Sequence, residues 1–243
     1  MAAHFGNLEK VINGKRRYSI TPHIPGGFVK PEELERIAKV AKKYNATLKF
    51  TSGQRILIGH LKEEDILDVW KELDMEPAIT SPNSVKNVEI CPANMCKRSK
   101  YGTIGIGMKL SRKYQREPMP CRTKIGVAGC RNACGSAYSK DIGVIADIDG
   151  SLIVTAGGSS GFHPRIADII DRSLDEEGAL DLIDRIVEFY KSSADLGEKL
   201  GPFIDRIGLD EFRKNVVKEE RLDIINQPTP EDIMIAKAKQ ANI

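Results

Sequence analysis

The first eighty residues carry alternating helix and strand patterns of apolar and polar side chains. Apolar residues recur at helical spacing over residues 30–44 and 63–73, which predicts two amphipathic helices. They follow strand patterns over residues 16–21, 48–51 and 55–59, and a tight turn joins the last two strands. This β-α-β-β-α order is typical of a small ferredoxin-like module. The pattern therefore predicts an α+β fold for this part of the chain.

A stretch without periodicity, residues 77–87, follows and is interpreted as a linker. The strands predicted beyond it are residues 88–90, 124–128, 142–148 and 152–156, the last two forming a hairpin around an Asp-Gly turn. The helices predicted beyond it are residues 101–114, 135–140, 163–172, 176–195, 197–217 and 230–241. We therefore predict a first domain over residues 1–80, beginning with a loose arm over residues 1–14. A second, mixed α/β domain over residues 81–243 ends in helices.

Composition narrows the class of protein. The chain has 243 residues and a formal net charge of +3, too small a charge to indicate general binding to nucleic acid. No apolar run approaches the ~20 residues that a membrane span needs, and the first residues lack the pattern of an export signal. We therefore expect a globular protein of the cytoplasm, without a nucleic-acid or membrane partner. In that reducing compartment, paired cysteines usually serve metal or redox chemistry rather than disulfides.

Four of the five cysteines form two close pairs, and each pair follows a predicted strand. Cys91 and Cys96 are separated by four residues, and Cys130 and Cys134 by three. Four thiolates from two short loops make a soft ligand set that suits an iron–sulfur cluster or zinc. The gaps are wider than those typical of zinc sites and no histidine lies near either pair, which favours a cluster. Zinc and unliganded buried cysteines remain the alternatives at this point.

Three stretches of the chain resemble the nitrite and sulfite reductase family. The most specific is residues 124–146, which contain the second cysteine pair in the form Cys-Arg-Asn-Ala-Cys-Gly. Residues 48–56, Leu-Lys-Phe-Thr-Ser-Gly-Gln-Arg-Ile, are similar to the motif of that family's ferredoxin-like half-domain. Residues 157–165 are similar to its glycine-rich loop after the hairpin. The resemblance extends over about residues 15–215.

The resemblance implies a [4Fe-4S] cluster coupled to sirohaem, with sulfite or nitrite reduced by six electrons. The implied cluster ligands are Cys91, Cys96, Cys130 and Cys134, and Cys134 would also bridge the cluster to the sirohaem iron. One feature departs from the family, because its first cysteine pair typically encloses five residues where this chain has four. Cys121 is therefore the candidate substitute ligand, although we expect it to be a bystander.

Reduction of an oxyanion needs cations that bind the anion and supply protons. The resemblance places Arg55, Lys86, Arg122 and Lys124 in this catalytic role. Arg122 and Lys124 alternate along a predicted strand, so their side chains should point to the same face. Two adjacent cations repel unless an anion or solvent lies between them, and this independently suggests a pocket; the alternative is a pair of solvated charges on an edge strand.

The carboxylates of sirohaem need hydrogen-bond donors. The residues that the resemblance and their chemistry indicate for this role are Thr51, Gln54, Arg55, Lys97, Arg98, Gly157 and Gly158, together with Cys134 at the iron. The two glycines are included because a loop without side chains can present backbone N–H groups to a carboxylate.

No flavin or nicotinamide motif is present in the sequence, so we expect an external electron donor such as a ferredoxin or a reductase subunit. Larger members of the family contain two copies of the half-domain and cluster domain, whereas this chain carries one. We therefore expect a homodimer, or pairing with a homologous subunit. Two other functions stay open: a non-catalytic iron–sulfur protein for electron transfer or redox sensing, and a sirohaem-binding protein of tetrapyrrole metabolism.

Overall fold

The computed structural model describes residues 5–225, which form two sheets joined by residues 74–84. The first sheet contains β1 (Asn7–Leu8), β2 (Tyr18–Ile20), β3 (Thr47–Phe50) and β4 (Ile56–Leu61). Its strands are all antiparallel and stand in the order β1-β2-β4-β3. Helices α1 (Pro31–Lys43) and α2 (Ile66–Leu73) complete the predicted β-α-β-β-α order.

Helix α1 begins where the sequence predicts, because proline occupies its first position and the side chain of Glu33 accepts the backbone N–H of Lys30 at 2.9 Å. Its apolar face, with Ile37 and Val40, packs on the sheet beside α2. Fully buried isoleucines such as Ile20 and Ile58 supply the sheet side of this core, each stabilising the fold by roughly 1.5–3 kcal/mol.

The second sheet has five strands in the order β5-β6-β7-β8-β9. They are β5 (Val85–Ile90), β6 (Thr123–Ala128), β7 (Ile142–Ala146), β8 (Leu152–Ala156) and β9 (Asp168–Leu174). Strands β5, β6 and β7 are parallel, and β7, β8 and β9 are antiparallel. The predicted hairpin joins β7 to β8, with Gly150 at a φ of 88°.

The two faces of this second sheet differ. The face that carries Val88, Ile125 and Val144 is apolar and packs against the helices α3 (Ile104–Tyr114) and α4 (Glu176–Ser193). The opposite face carries Glu89, Lys124, Gly126 and Gly143, so its side chains in this part of the sheet are charged or small. Helices α5 (Leu200–Ile207), α6 (Leu209–Val216) and α7 (Glu219–Ile225) extend the apolar side. The charged side chains of these strands therefore lie on one face of the sheet.

The helix predicted over residues 163–172 is wrong. Residues 168–174 form β9, which pairs with β8, while residues 163–167 belong to a loop that the bridge between Ser159 and Arg165 closes. The local sequence contains both Pro164 and the β-branched pair Ile169 and Ile170, which fit a strand beside β8 better than a helix.

Three other boundaries differ from the prediction. Strand β5 begins at Val85, inside the predicted linker. The helix predicted over residues 197–217 is two helices, because Gly208 has a φ of 90° and separates α5 from α6. The arm contributes the two-residue strand β1. The helix predicted over 230–241 lies outside the described residues. Between residues 5 and 225, no helix has the length and apolar character needed to cross a membrane.

Candidate cofactor and anion site

The two cysteine loops meet at the carboxyl edge of the second sheet. Cys91 follows β5 directly and Cys130 follows β6 after one residue, and these strands are parallel neighbours. The backbone N–H of Cys91 donates to the carbonyl oxygen of Val127 at 3.0 Å, and its Sγ accepts the N–H of Gly129 at 3.2 Å. A backbone donor aimed at sulfur stabilises a thiolate, which is the form that binds iron.

Gly129 fixes one loop against the other. Its carbonyl oxygen accepts the N–H of Lys100 at 2.6 Å and the hydroxyl of Ser99 at 3.2 Å, both from the first loop. A Cβ at this position would lie 2.7 Å from the Cβ of Ala93, a distance that real contacts do not reach. Glycine is therefore required here for the two cysteine loops to approach each other.

The five cysteines occupy two different edges of the sheet. Cys91 is buried, Cys130 is partly exposed, and Cys96 and Cys134 are exposed, all beyond the carboxyl ends of β5 and β6. Cys121 precedes β6 and lies at the amino edge, with the whole length of the strand between it and Cys130. All five are free of disulfides.

The donor set fits an iron–sulfur cluster. Within residues 5–225, no three Cys, His, Asp or Glu side chains are grouped as ligands of one metal ion. A [4Fe-4S] cluster has four irons, so its four cysteines bind different corners and need not converge on a single point. The αL residue Ala133, with a φ of 45°, turns the chain between Cys130 and Cys134.

A groove of about 330 Å³ lies beside Cys91, between the two units. The residues that line it are Ile24, Gly26, Gly27, Phe28, Val29, Phe50, Thr51, Gln54, Arg55, Ile56, Ile90 and Pro92. Its walls are mostly apolar, and Arg55 is its only charged lining residue among those described. An apolar groove with a cation at its rim, next to the cysteine loops, fits a flat macrocycle that carries carboxylates.

The turn between β3 and β4 attaches the first unit to β5, which is the edge strand of the second sheet. Gln54 uses both ends of its amide on Ile90: Nε2 donates to the carbonyl oxygen and Oε1 accepts the N–H, each at 2.8 Å. Asn87 donates its amide to the carbonyl oxygen of Gly53, and Arg55 Nη1 donates to that of Lys86 at 3.1 Å. The predicted sirohaem ligand Gln54 thus links the two units, and the hydroxyl of Thr51 makes both of its hydrogen bonds with the backbone of Arg55.

The four predicted catalytic cations are close enough for their charges to act on one another. Burial lowers the pKa of Lys124, and the positive charges of Lys140, Arg122 and Arg55 lower it further. Burial also lowers the pKa of Lys86, to which the charges of Arg122 and Arg55 add. The same desolvation lowers the pKa of Arg55. The structure therefore assembles a dense positive site at the amino ends of β5 and β6.

Arg122 differs from the prediction in its placement. It precedes β6 and is exposed, whereas Lys124 lies within the strand and is half-buried. The side chain of Arg122 lines an open cavity of about 590 Å³ beside the loop of residues 159–165. Lys86 is buried, and its ammonium donates to the carbonyl oxygen of Ser81. The four cations thus form a graded set, from exposed Arg122 to buried Lys86.

The first two residues of the glycine-rich loop pack against protein. Gly157 and Gly158 are both buried, and the N–H of Gly157 donates to the carbonyl oxygen of Asp141 at 2.8 Å. A Cβ on Gly158 would lie 2.7 Å from the carbonyl oxygen of Tyr138, so close packing explains this glycine. Lys97 and Arg98 are exposed beside Cys96.

Sequence reasoning missed three charged residues at the site. Glu89 and Lys140 form a buried ion pair of 2.8 Å, and the carboxylate of Asp141 accepts the backbone N–H of Lys124, also at 2.8 Å. Burial raises the pKa of Asp141 to about 6, although the hydrogen bond from Lys124 and the charge of Lys199 oppose the shift. The signal was the Ser-Lys-Asp-Ile-Gly segment itself, which the resemblance identified without giving its charges a role.

The comparison with protein families covers both units of the chain. Residues 81–225 match the model described as the nitrite and sulphite reductase 4Fe-4S domain. The chain belongs to the nitrite and sulfite reductase family. Residues 11–76 match the ferredoxin-like half domain of the same reductases. The predicted family, the order of the two folds, the oxidoreductase class and the cofactor pair of a [4Fe-4S] cluster with sirohaem are confirmed.

Two relatives of this family member differ greatly in length. The assimilatory-type sulfite reductase of Nitratidesulfovibrio vulgaris is 30% identical over 205 residues, which cover 84% of this chain and 94% of that protein. The nitrite reductase (NADH) large subunit of Escherichia coli is 28% identical over 213 residues, which cover 85% of this chain but 25% of that protein.

Solved structures agree on the fold of the family. The Mycobacterium tuberculosis NirA protein matches with a TM-score of 0.71 at 13% identity, covering 87% of this chain and 44% of that one. Dissimilatory sulfite reductase I (DsrI) matches with a TM-score of 0.72 at 13% identity, covering 88% of this chain and 72% of that one.

Proposed function

We propose that this protein reduces sulfite to sulfide, a six-electron reaction that consumes protons and releases water. The observation that carries the proposal is one face of a sheet with two cysteine loops at its carboxyl edge and clustered cations at its amino edge. Sulfite is preferred to nitrite because the chain matches almost the full length of a sulfite reductase, but only a quarter of a nitrite reductase subunit.

The proposed cluster ligands are Cys91, Cys96, Cys130 and Cys134, with Cys134 shared with sirohaem. Their position beyond β5 and β6 supports this set, and the place of Cys121 at the opposite edge supports its role as a bystander. When bound, the sirohaem and the cluster would supply the electrons that reduce the oxyanion.

The residues of the chain provide binding and protons. Arg55 at the rim of the groove is the proposed partner of a sirohaem carboxylate, and Lys97 and Arg98 are further candidates because they are exposed beside Cys96. Lys124 and Arg122 bind the oxyanion, and the buried side chain of Lys86 adds positive charge to the site. Because the pKa of Lys124 is lowered, its ammonium gives up a proton more readily than an exposed lysine does. Gly157, Gly158, Thr51 and Gln54 act on the cofactor indirectly, through the packing of their loops.

The proposal includes an external electron donor and a second copy of the chain. Exposed Lys97, Arg98 and Lys100 around Cys96 suit a donor with an acidic surface, such as a ferredoxin or a reductase subunit. A homodimer is supported because NirA is more than twice as long as the part that this chain matches. We place the protein in the cytoplasm, where the unpaired cysteines stay reduced.

Spectra and turnover of anaerobically purified protein test the function. We expect strong absorption bands in the red from sirohaem, and turnover of sulfite with reduced viologen that exceeds turnover of nitrite. Cys134→Ala should abolish turnover and lose the bands of the coupled sirohaem, whereas the matched control Cys121→Ala should keep both. Colourless, iron-free protein, or a Cys134→Ala variant with intact turnover, would refute the proposal. An iron-containing protein without sirohaem bands would support a non-catalytic cluster protein instead.

A further inference from the structure

A buried ion pair stands on the cation-bearing face of the second sheet. Lys140 Nζ lies 2.8 Å from Glu89 Oε2, and the two side chains are only 9% and 5% exposed. Removing two charges from water is costly, and a pair of apolar residues would often stabilise a fold as well or better. A pair retained at such a cost beside a proposed active site suggests a role in positioning.

The path of Lys140 depends on a glycine in the central strand. Glu89 on β5 is the register partner of Gly126 on β6, and Lys140 lies just before β7 on the other side of β6. A Cβ on Gly126 would lie 2.9 Å from Cγ of Lys140. The Lys140 side chain therefore passes over β6 at Gly126 to reach Glu89.

This crossing brings the pair next to Lys124. Lys124 and Gly126 are two residues apart in a strand, so they face the same side of the sheet. The charged groups that act on Lys124 come from every neighbouring element: Arg55 from the turn before β4, Glu89 from β5, Lys140 and Asp141 from the segment before β7, and Arg122 from its own strand end. Glu89 is the carboxylate whose charge opposes those cations at the Lys124 ammonium.

Only one of the two oxygens of the Glu89 carboxylate has a partner among the described residues. Its second oxygen, Oε1, is buried and has no hydrogen-bond partner among the described residues. The same is true of Nε of Arg55, whose guanidinium is attracted by the charge of Glu89. A buried acceptor and a buried donor, both without partners, lie in the part of the site where the cations gather.

We propose that Glu89, fixed by Lys140 across Gly126, is a positioning residue that holds the Lys124 ammonium protonated in the anion site. This inference rests on the proposed function, because it assigns the control of its proton donor. Burial and three neighbouring cations favour the neutral amine of Lys124, and Glu89 acts against them. Without Glu89, Lys124 would lose its proton at a lower pH.

The protonation state of Lys124 can be measured directly in the purified holoprotein. An amine-acylating reagent reacts only with unprotonated lysine, so the pH dependence of Lys124 labelling, followed by mass spectrometry, reports its pKa. Glu89→Gln keeps the shape of the side chain and removes its charge. We expect the labelling midpoint of Lys124 to move to lower pH in this variant. Lys140→Arg keeps a cation opposite Glu89 and should leave the Lys124 midpoint at its wild-type value.

Kinetics supply the second readout. In Glu89→Gln we expect the decline of kcat for sulfite at alkaline pH to begin at a lower pH than in the wild type, while kcat at pH 6 stays close to the wild-type value. KM at pH 6 should not rise, because Lys124 keeps its charge at that pH in both proteins. Lys140→Arg should keep the wild-type kcat and KM, since arginine also pairs with Glu89. The control Glu117→Gln neutralises an exposed partner of Lys191 and should change nothing.

Three results would overturn the inference. One is an unchanged Lys124 midpoint in Glu89→Gln, and another is a shift in Lys140→Arg as large as that in Glu89→Gln. The third is a uniform loss of kcat at all pH values with a raised KM, which indicates a purely structural role. Failure of the proposed function is distinguishable, because protein that never turns over sulfite still reports the Lys124 midpoint by labelling.

Discussion

Asp141 shows how a single buried residue couples the site to pH. Its side chain is 9% exposed, it accepts the N–H of Lys124, and burial raises its pKa to about 6. A carboxyl group whose pKa is raised by folding contributes its full stability below the pKa of the unfolded chain. That contribution is lost as the pH rises through about 6, because the folded state must then ionise a buried group.

Asp141→Asn should therefore stabilise the protein at neutral pH. Asparagine still offers an oxygen to the Lys124 N–H but carries no charge to bury. We expect the free energy of unfolding to rise by up to about 3 kcal/mol at pH 7.5, and to be nearly unchanged at pH 4, the difference corresponding to the raised pKa. Urea unfolding of the wild type and the variant across this range measures it. The exposed residue Asp195, changed to Asn, is the control, and an equal gain at both pH values would contradict the argument.

At the scale of elements, the free edge of β5 is the feature that organises the molecule. An edge strand exposes unpaired backbone groups, and here the Gln54 amide satisfies both groups of Ile90 from the turn between β3 and β4. The same turn carries Arg55 to the backbone of Lys86. The first unit thus closes the open side of the second sheet and forms one wall of the groove.

Gln54→Ala should weaken the contact between the first unit and β5. It removes two hydrogen bonds of 2.8 Å and leaves a part-buried N–H and C=O without partners, at a cost of about 2–3 kcal/mol. Hydrogen exchange should speed up at Ile90 and in the rest of β5, with little change in β7 or β8. Lys49→Ala, on exposed β3, is the control. Unaltered exchange at Ile90 would show that the Gln54 amide does not stabilise this contact.

The sequence predicted the elements whose pattern is local and missed what depends on distant neighbours. Periodicity located α1 and α2, and the Asp-Gly turn located the β7–β8 hairpin. Strand β9 was mistaken for a helix because its partner β8 decides its form. The cysteine loops could be recognised from motifs, but the Glu89–Lys140 pair could not, since it requires three strands in register and a glycine at position 126.

At the scale of the whole molecule, charge is concentrated where the fold needs it. The net charge is only +3, and many charged surface side chains are paired, as in Lys43 with Glu72 and Arg206 with Glu198. The cation site, in contrast, gathers several positive groups at the ends of β5 and β6. A local field of this kind attracts a small anion without making the whole protein a polyanion binder.

Sulfite capture should therefore depend on salt. We expect kcat/KM for sulfite to fall about fivefold as ionic strength rises from about 0.02 to 0.3 M, because screening weakens the attraction at the exposed end of the site. Arg122→Gln should lower kcat/KM at low salt and flatten the dependence. Lys39→Gln, on the exposed face of α1, should leave the slope as it is in the wild type. A salt-independent kcat/KM in the wild type would exclude electrostatic capture.

Strand β6 also acts as a spacer. Lys124 and Ala128 are four residues apart along it, about 13 Å, with the proposed anion site at one end and the cysteine loops at the other. Electrons would arrive at the carboxyl edge of the sheet, whereas the oxyanion and its protons would arrive at the amino edge. The docking surface for a redox partner could then diverge during evolution while the residues at the far end stayed intact. The same fold could therefore accept electrons from different donors.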